Sequence, residues 1–140
     1  MKRVITGCKC GQAKAAVTTM SKLRFRCHCT KCQSVYKGPF ADALVYRRGQ
    51  VRLETPNQVD WIRTMRPSPL VRAVCKSCKE PVVAHFYFAF SIIPSKALPS
   101  EMVPPVSHDV YYSTHAAALE DSVPKHNTMI GSYIALAMPF

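Results

Sequence analysis

The sequence lacks any apolar run long enough to span a bilayer. Its most apolar segment, Val82–Ile93, is short and is interrupted by His85 and Ser91. The N-terminal stretch MKRVITGCKCG starts basic but has no apolar stretch after it, so it does not read as a signal peptide, and the cytoplasm is the expected location. There is no internal repeat and no low-complexity segment. A hydrophobic share of 48% excludes disorder as a global state. Acidic residues are scarce: eight Asp and Glu stand against nineteen Lys and Arg, for a formal net charge of +11. The plain reading of that charge is a solvated positive surface, and the sharper ones are an acidic small substrate or nucleic acid. Nucleic acid has little support, because the basic residues form only short pairs such as Arg47-Arg48, with no basic tail and no stripe interleaved with aromatics.

What is present is cysteine and proline. Eleven prolines in 140 residues favour loops and edge strands over long helices. Short strands are expected over Val4–Cys8, Ala13–Thr18, Leu23–Cys29, Phe40–Tyr46, Val51–Glu54, Val59–Thr64 and Leu70–Cys75, with Val82–Phe90 as a central strand or pair of strands. Beyond Ile93, prolines mark a loop-rich passage. Asp109–Tyr112 reads as a short strand, Thr114–Asp121 as a turn or two of helix, and the apolar tail from Thr128 as packing back on the core. The expectation is a mostly-β chain forming one domain over 1–140.

The seven cysteines fall into three tight clusters: Cys8 and Cys10, then Cys27, Cys29 and Cys32, then Cys75 and Cys78. Disulfides are rare in a reducing compartment, and clustering at these spacings points to metal ligation. On a strand, residues i and i+2 share a face, so Cys8 and Cys10 can present both sulfurs to one side. Cys75-Lys76-Ser77-Cys78 has the spacing of a zinc knuckle. Two such pairs close a tetrahedral zinc site and leave no position for substrate, which is a structural centre. By the same alternation Cys27 and Cys29 share a face, and Cys32 returns to it after a short turn. Three thiolates leave a tetrahedral zinc with an open position, the mark of a catalytic or exchangeable site. Spacing alone leaves other arrangements open. Cys8 and Cys10 could combine with two of the triplet, Cys32 could be a free nucleophile, and one of His85, His108, His115 and His126 could complete the open site. His28 should point to the opposite face. With seven thiolates and two zinc ions the net charge becomes about +8.

GCKCG at Gly7–Gly11, CHCTKC at Cys27–Cys32, KGPF at Lys37–Phe40 and RAVCKSC at Arg72–Cys78 occur together in an order and spacing that resemble the glutathione-dependent formaldehyde-activating enzyme family, which also includes centromere protein V. The resemblance covers roughly the first 90 residues. It implies a β-tent fold of several short twisted antiparallel sheets stapled by zinc, a structural zinc on Cys8, Cys10, Cys75 and Cys78, and a second zinc on Cys27, Cys29 and Cys32. It also implies a carbon–sulfur lyase activity that joins glutathione and formaldehyde. The chain departs from the family pattern at Lys79, where glycine is usual, at Gln33, where a basic residue is common, and between Ile92 and Val106, where an acidic Leu-Asp-Asp-Pro-like segment is not apparent.

The leading functional expectation is therefore a zinc-dependent lyase acting on a glutathione or other thiol–aldehyde adduct, with Cys27, Cys29 and Cys32 as the catalytic set. The alternative is a zinc-binding domain without turnover, or a metal or redox sensor. Lys31, Lys37, Arg47 and Arg48 are candidate anchors for glutathione carboxylates, although a solvated face is the plainer reading of each. The sequence carries no signal for a membrane partner or for an oligomeric state.

Overall fold

The computed structural model describes residues 3–63, 70–86 and 89–137. It is mostly β, with two sheets. The smaller is three-stranded: Val4–Gly7 (β1), Lys14–Val17 (β2) and Val51–Leu53 (β5). β2 lies at its centre, antiparallel to both neighbours. The larger sheet is built from Leu23–Cys27 (β3), Ala41–Arg47 (β4), Val59–Ile62 (β6), Leu70–Cys75 (β7), Pro81–Phe86 (β8), Phe90–Pro94 (β9) and His108–Val110 (β10), in the spatial order β10-β3-β4-β9-β8-β7-β6. Within the apolar Val82–Phe90 run, residues 82–86 lie in β8 and Phe90 opens β9, while Tyr87 and Phe88 lie outside the described residues. The strand expected over Val59–Thr64 ends at Ile62; Arg63 lies outside it, and Thr64 lies outside the described residues.

One pairing departs from the expected antiparallel pattern. β10 runs parallel to β3, with Asp109 opposite Arg26 and Val110 opposite Cys27. A parallel neighbour needs a long connection, and the chain from Cys27 to His108 supplies it, its last part running from β9 through two short 3-10 turns, Ser95–Ala97 and Ser100–Met102.

Side-chain alternation divides the large sheet into two faces. In β4, Leu44 and Tyr46 face one way and Ala41, Ala43 and Val45 the other, and all five are buried. The first face packs against Ala13, Ala15 and Val17 around the small sheet, together with Ile93, Val83 and Ala73. The second face carries Leu23, Phe25, Cys27 and Val110, and is partly covered by Leu136 from the last helix.

Two short helices complete the chain. Thr30–Tyr36 (α1) was expected to be only a turn. Its N-cap is a cysteine: Cys29 Sγ accepts the Cys32 backbone N–H at 3.2 Å. It ends at Lys37 in the left-handed conformation, φ 53°, one residue before the glycine a sequence reading looks for. Met129–Ala137 (α2) forms from the apolar tail. It is capped by the Thr128 hydroxyl, which accepts the Gly131 N–H, and tied down by buried Ser132, whose hydroxyl accepts the Tyr111 N–H. Among the described residues no helix is long and apolar enough to cross a membrane.

The expected helix over Thr114–Asp121 does not form. Only a 3-10 turn at Tyr112–Thr114 is present. Asp121 is drawn into ion pairs with Arg26 and Lys125, and the Leu119 N–H is taken by the Tyr112 hydroxyl, so tertiary contacts override the local alanine preference.

A buried histidine makes the fold sensitive to acid. His85 on β8 hydrogen-bonds Ser91 on β9 at 2.7 Å and stacks against Trp61 at 5.3 Å. Burial, and secondarily the charge of Arg48, push its pKa down from 6.5 to about 4. The unfolded chain therefore binds the proton more readily between those values. The contribution is complete above pH 6.5 and is lost as the pH falls towards 4, amounting at the limit to roughly 2–3 kcal/mol. The stability gap between the wild type and His85→Gln is expected to narrow over that interval in thermal melts.

Candidate metal centres and active-site cavity

The structure gathers the cysteines into two sets. Cys8, Cys10, Cys75 and Cys78 have their sulfurs mutually within 4.8 Å, as do Cys27, Cys29 and Cys32. The mixed arrangement, with Cys8 and Cys10 joined to the triplet, is not the one formed. All seven cysteines are free thiols. Among the described residues no further histidine, cysteine or carboxylate joins either set.

The first set lies where the turn after β1 meets the knuckle between β7 and β8. The turn is closed by Gly11 N–H to Cys8 carbonyl and by Cys8 N–H to Ala13 carbonyl. The knuckle is closed by Lys79 N–H to Cys75 carbonyl and by Cys75 N–H to Glu80 carbonyl. Lys79 takes the left-handed conformation, φ 63°, so this lysine adopts the turn that glycine usually makes. Gln58 braces the set: its amide donates to Gln12 Oε1 and Ser77 Oγ and lies 3.8 Å from Cys75 Sγ. Burial raises the Cys75 pKa, but the backbone N–H groups of Cys78 and Ser77 and the Gln58 amide overcome it and bring the thiol to about 6. Sulfur separations of 3.4 Å for Cys8 and Cys10 and 3.6 Å for Cys10 and Cys75 are close to the edge of a tetrahedron with metal–sulfur bonds of about 2.3 Å, an edge of about 3.8 Å. Four sulfurs at these spacings fit zinc.

The second set is built differently from the expected continuous strand. β3 ends at Cys27, Cys29 caps α1, and Cys32 lies in the first turn of α1. Three different backbone environments thus bring the sulfurs together. Crowding polarises them. Thiol hydrogen bonds from Cys27 and Cys32 hold Cys29 far below the ordinary thiol range, while the same contacts with Cys29 and Cys32, and burial, push Cys27 well above it. A divalent soft cation is the chemical complement of three sulfurs held this close together.

Arg72 is the residue that sequence reasoning missed here. It lies in β7 with its side chain on the opposite face from Cys75, buried at 6% exposure, and its guanidinium donates to Cys32 Sγ at 3.4 Å. Its signal was an arginine inside the otherwise apolar strand LVRAVC. The buried positive charge offsets thiolate charge at the triplet.

His28 does point away from the sulfurs. It is fully buried, and its Nε2 lies 2.7 Å from Asp109 Oδ1, so this nitrogen carries the proton. Asp109, also fully buried, accepts a bidentate pair from Arg26 at 2.7 and 2.8 Å and a bond from Lys125 at 3.1 Å. Burial alone would raise its pKa; the Arg26, His28 and Lys125 hydrogen bonds lower it instead. Gln33 donates to His28 carbonyl and Thr114 carbonyl, so the non-basic residue at this position ties the cysteine loop to the C-terminal passage. Asp109→Asn leaves Arg26 and Lys125 short of a partner. It is expected to cost about 3 kcal/mol, read by urea unfolding at neutral pH.

The triplet lines a cavity of about 390 Å³. Phe25, Ala43, Val83, Ile92, Val110 and Leu136 form apolar wall, and Arg72, Lys31, Ser113 and Thr114 are among the polar lining residues. Of the four candidate anchors, only Lys31 lines it. Lys37 caps α1, Arg47 is the last residue of β4, and Arg48 follows it in a 3-10 turn. His108 is paired with His126 at 3.0 Å, and His115 is stacked on Tyr112; neither reaches the triplet.

The fold is mostly β and carries two convergent cysteine sets that could each hold a metal ion, one of them lining a cavity. Residues 3–98 match the glutathione-dependent formaldehyde-activating enzyme family, and the chain belongs to that family. A crystal structure of a Rhodobacter sphaeroides protein has a similar fold, with a TM-score of 0.58 at 16% identity, covering 73% of this chain and 92% of that one. No curated protein matches the chain.

Proposed function

We propose that this chain is a zinc-dependent carbon–sulfur lyase that forms and cleaves thiol–aldehyde adducts. Cys8, Cys10, Cys75 and Cys78 are assigned to a closed structural zinc, and Cys27, Cys29 and Cys32 to an open one. The observation that carries the reading is that three cysteines without a fourth ligand, among the described residues, line a cavity. A zinc ion held by the triplet supplies a positive centre that keeps an incoming thiol ionised.

The chain's own residues do the rest. Arg72 offsets the charge that three thiolates concentrate in a buried place. The apolar walls exclude water, so charges there are weakly screened. Lys31 lines the cavity and is suited to a carboxylate of a glutathione-like thiol. In the reaction the thiol sulfur bonds to the aldehyde carbon, the carbonyl π pair moves to oxygen, and the thiol proton ends on that oxygen as a hydroxyl. Cleavage reverses each change. Seven free thiols suit a reducing compartment, and we assign the protein to the cytoplasm.

The test combines elemental analysis with exchange spectroscopy of glutathione and formaldehyde. Two zinc ions per chain that survive desalting with glutathione, together with faster adduct exchange, support the reading. One zinc ion and no acceleration overturn it in favour of a binding or sensing domain.

A further inference from the structure

The cavity is too large and too apolar for a one-carbon partner. Its volume of about 390 Å³ is roughly ten times the ~30 Å³ that a water molecule occupies, and formaldehyde has only two heavy atoms. Cavities of this size, walled mainly by apolar side chains with a few polar groups, hold drug-sized ligands.

Its polarity is also graded. Thr30, Ser113 and Thr114 are exposed and Lys31 is half-buried, which makes a polar rim. Phe25, Ala43, Val83 and Val110 are buried, and they form the wall with Ile92 and Leu136. The body of glutathione carries two carboxylates, an ammonium group and two amides. Moving these against an apolar wall served by one buried guanidinium would strand most of them without partners. The peptide body therefore belongs at the rim, and the wall faces whatever group the sulfur carries.

We propose that this wall receives an apolar substituent on the thiol sulfur, so that the preferred adducts derive from medium-chain or aromatic aldehydes rather than from formaldehyde. The assignment rests on the reading that the cavity takes a thiol–aldehyde adduct.

The probes are two uncleavable thioethers, S-methylglutathione and S-hexylglutathione, titrated calorimetrically into the zinc-loaded protein. Each methylene leaving water contributes roughly a fourfold gain, so the five extra methylenes of S-hexylglutathione are expected to tighten binding on the order of a thousandfold, with a more negative heat-capacity change. Ala84→Leu adds bulk at a wall position and is expected to remove at least about tenfold of that advantage. Equal affinities, no binding of either probe, or an advantage unchanged in a folded Ala84→Leu protein would each overturn the proposal. The parent reading is decided separately by the formaldehyde exchange assay. Exchange without an S-hexyl preference keeps the lyase and loses the apolar site. An S-hexyl preference without any adduct exchange keeps the apolar site and loses the lyase.

Discussion

Cys75→Ser is expected to unfold the domain. Cys75 is fully buried, it ends β7, and its set joins the turn after β1 to the β7–β8 knuckle. A structural zinc in small domains contributes on the order of 10–16 kcal/mol near neutral pH, comparable with the whole stability of a domain, about 5–15 kcal/mol. Serine supplies no thiolate, so the loss falls directly on folding. Circular dichroism should show no cooperative transition above room temperature, and Cys8→Ser should behave the same way. Melting of Cys75→Ser close to that of the wild type would remove the structural role of this set.

Replacing a triplet cysteine is expected to do the opposite: activity and one equivalent of zinc are lost while the fold persists. Cys32→Ser should lower adduct exchange more than about 100-fold, because a direct ligand matters at least as much as its supporting shell. Its cost in stability should stay near 1–2 kcal/mol, since the serine hydroxyl can still accept from Arg72. Cys29→Ser separates the two roles of that residue. Serine is a good helix N-cap, so α1 keeps the bond now made by Cys29 Sγ to the Cys32 N–H while the metal ligand is gone. Equal thermal destabilisation of Cys75→Ser and the two triplet variants would erase the distinction between a closed and an open centre.

The parts of this protein that the sequence displays are those set by short spacings. Cys8 with Cys10 and Cys75 with Cys78 each sit in one local turn, and the alternating faces of β3 and β4 follow from period two. Spacing suggested joining the first pair to the last but left other combinations open, and the choice came from the family resemblance, because spacing alone cannot choose between partners 65 residues apart. α1 was hidden because its cap is a cysteine, a residue that carries no start signal in a propensity reading. The Arg26–Asp109–His28 cluster was hidden for another reason. It depends on the parallel placement of β10 beside β3, a contact that no local pattern encodes.

The division of labour along the chain has a further consequence. All seven cysteines, Arg72 and Lys31 lie within residues 3–98, the segment shared with the family, whereas Val110, Tyr111, Ser113, Thr114 and Leu136, which shape one side of the cavity, lie after it. The cysteines thus lie on one stretch of polypeptide, while the cavity wall is shared between both, with Phe25, Ala43, Val83 and Ile92 on the first and Val110 and Leu136 on the second. The second stretch is attached to the first through Asp109, Thr114 and the pairing of β10 with β3. Changes confined to Val110, Tyr111 and Leu136 are therefore expected to alter what the cavity admits, while the seven cysteines all sit on the first stretch.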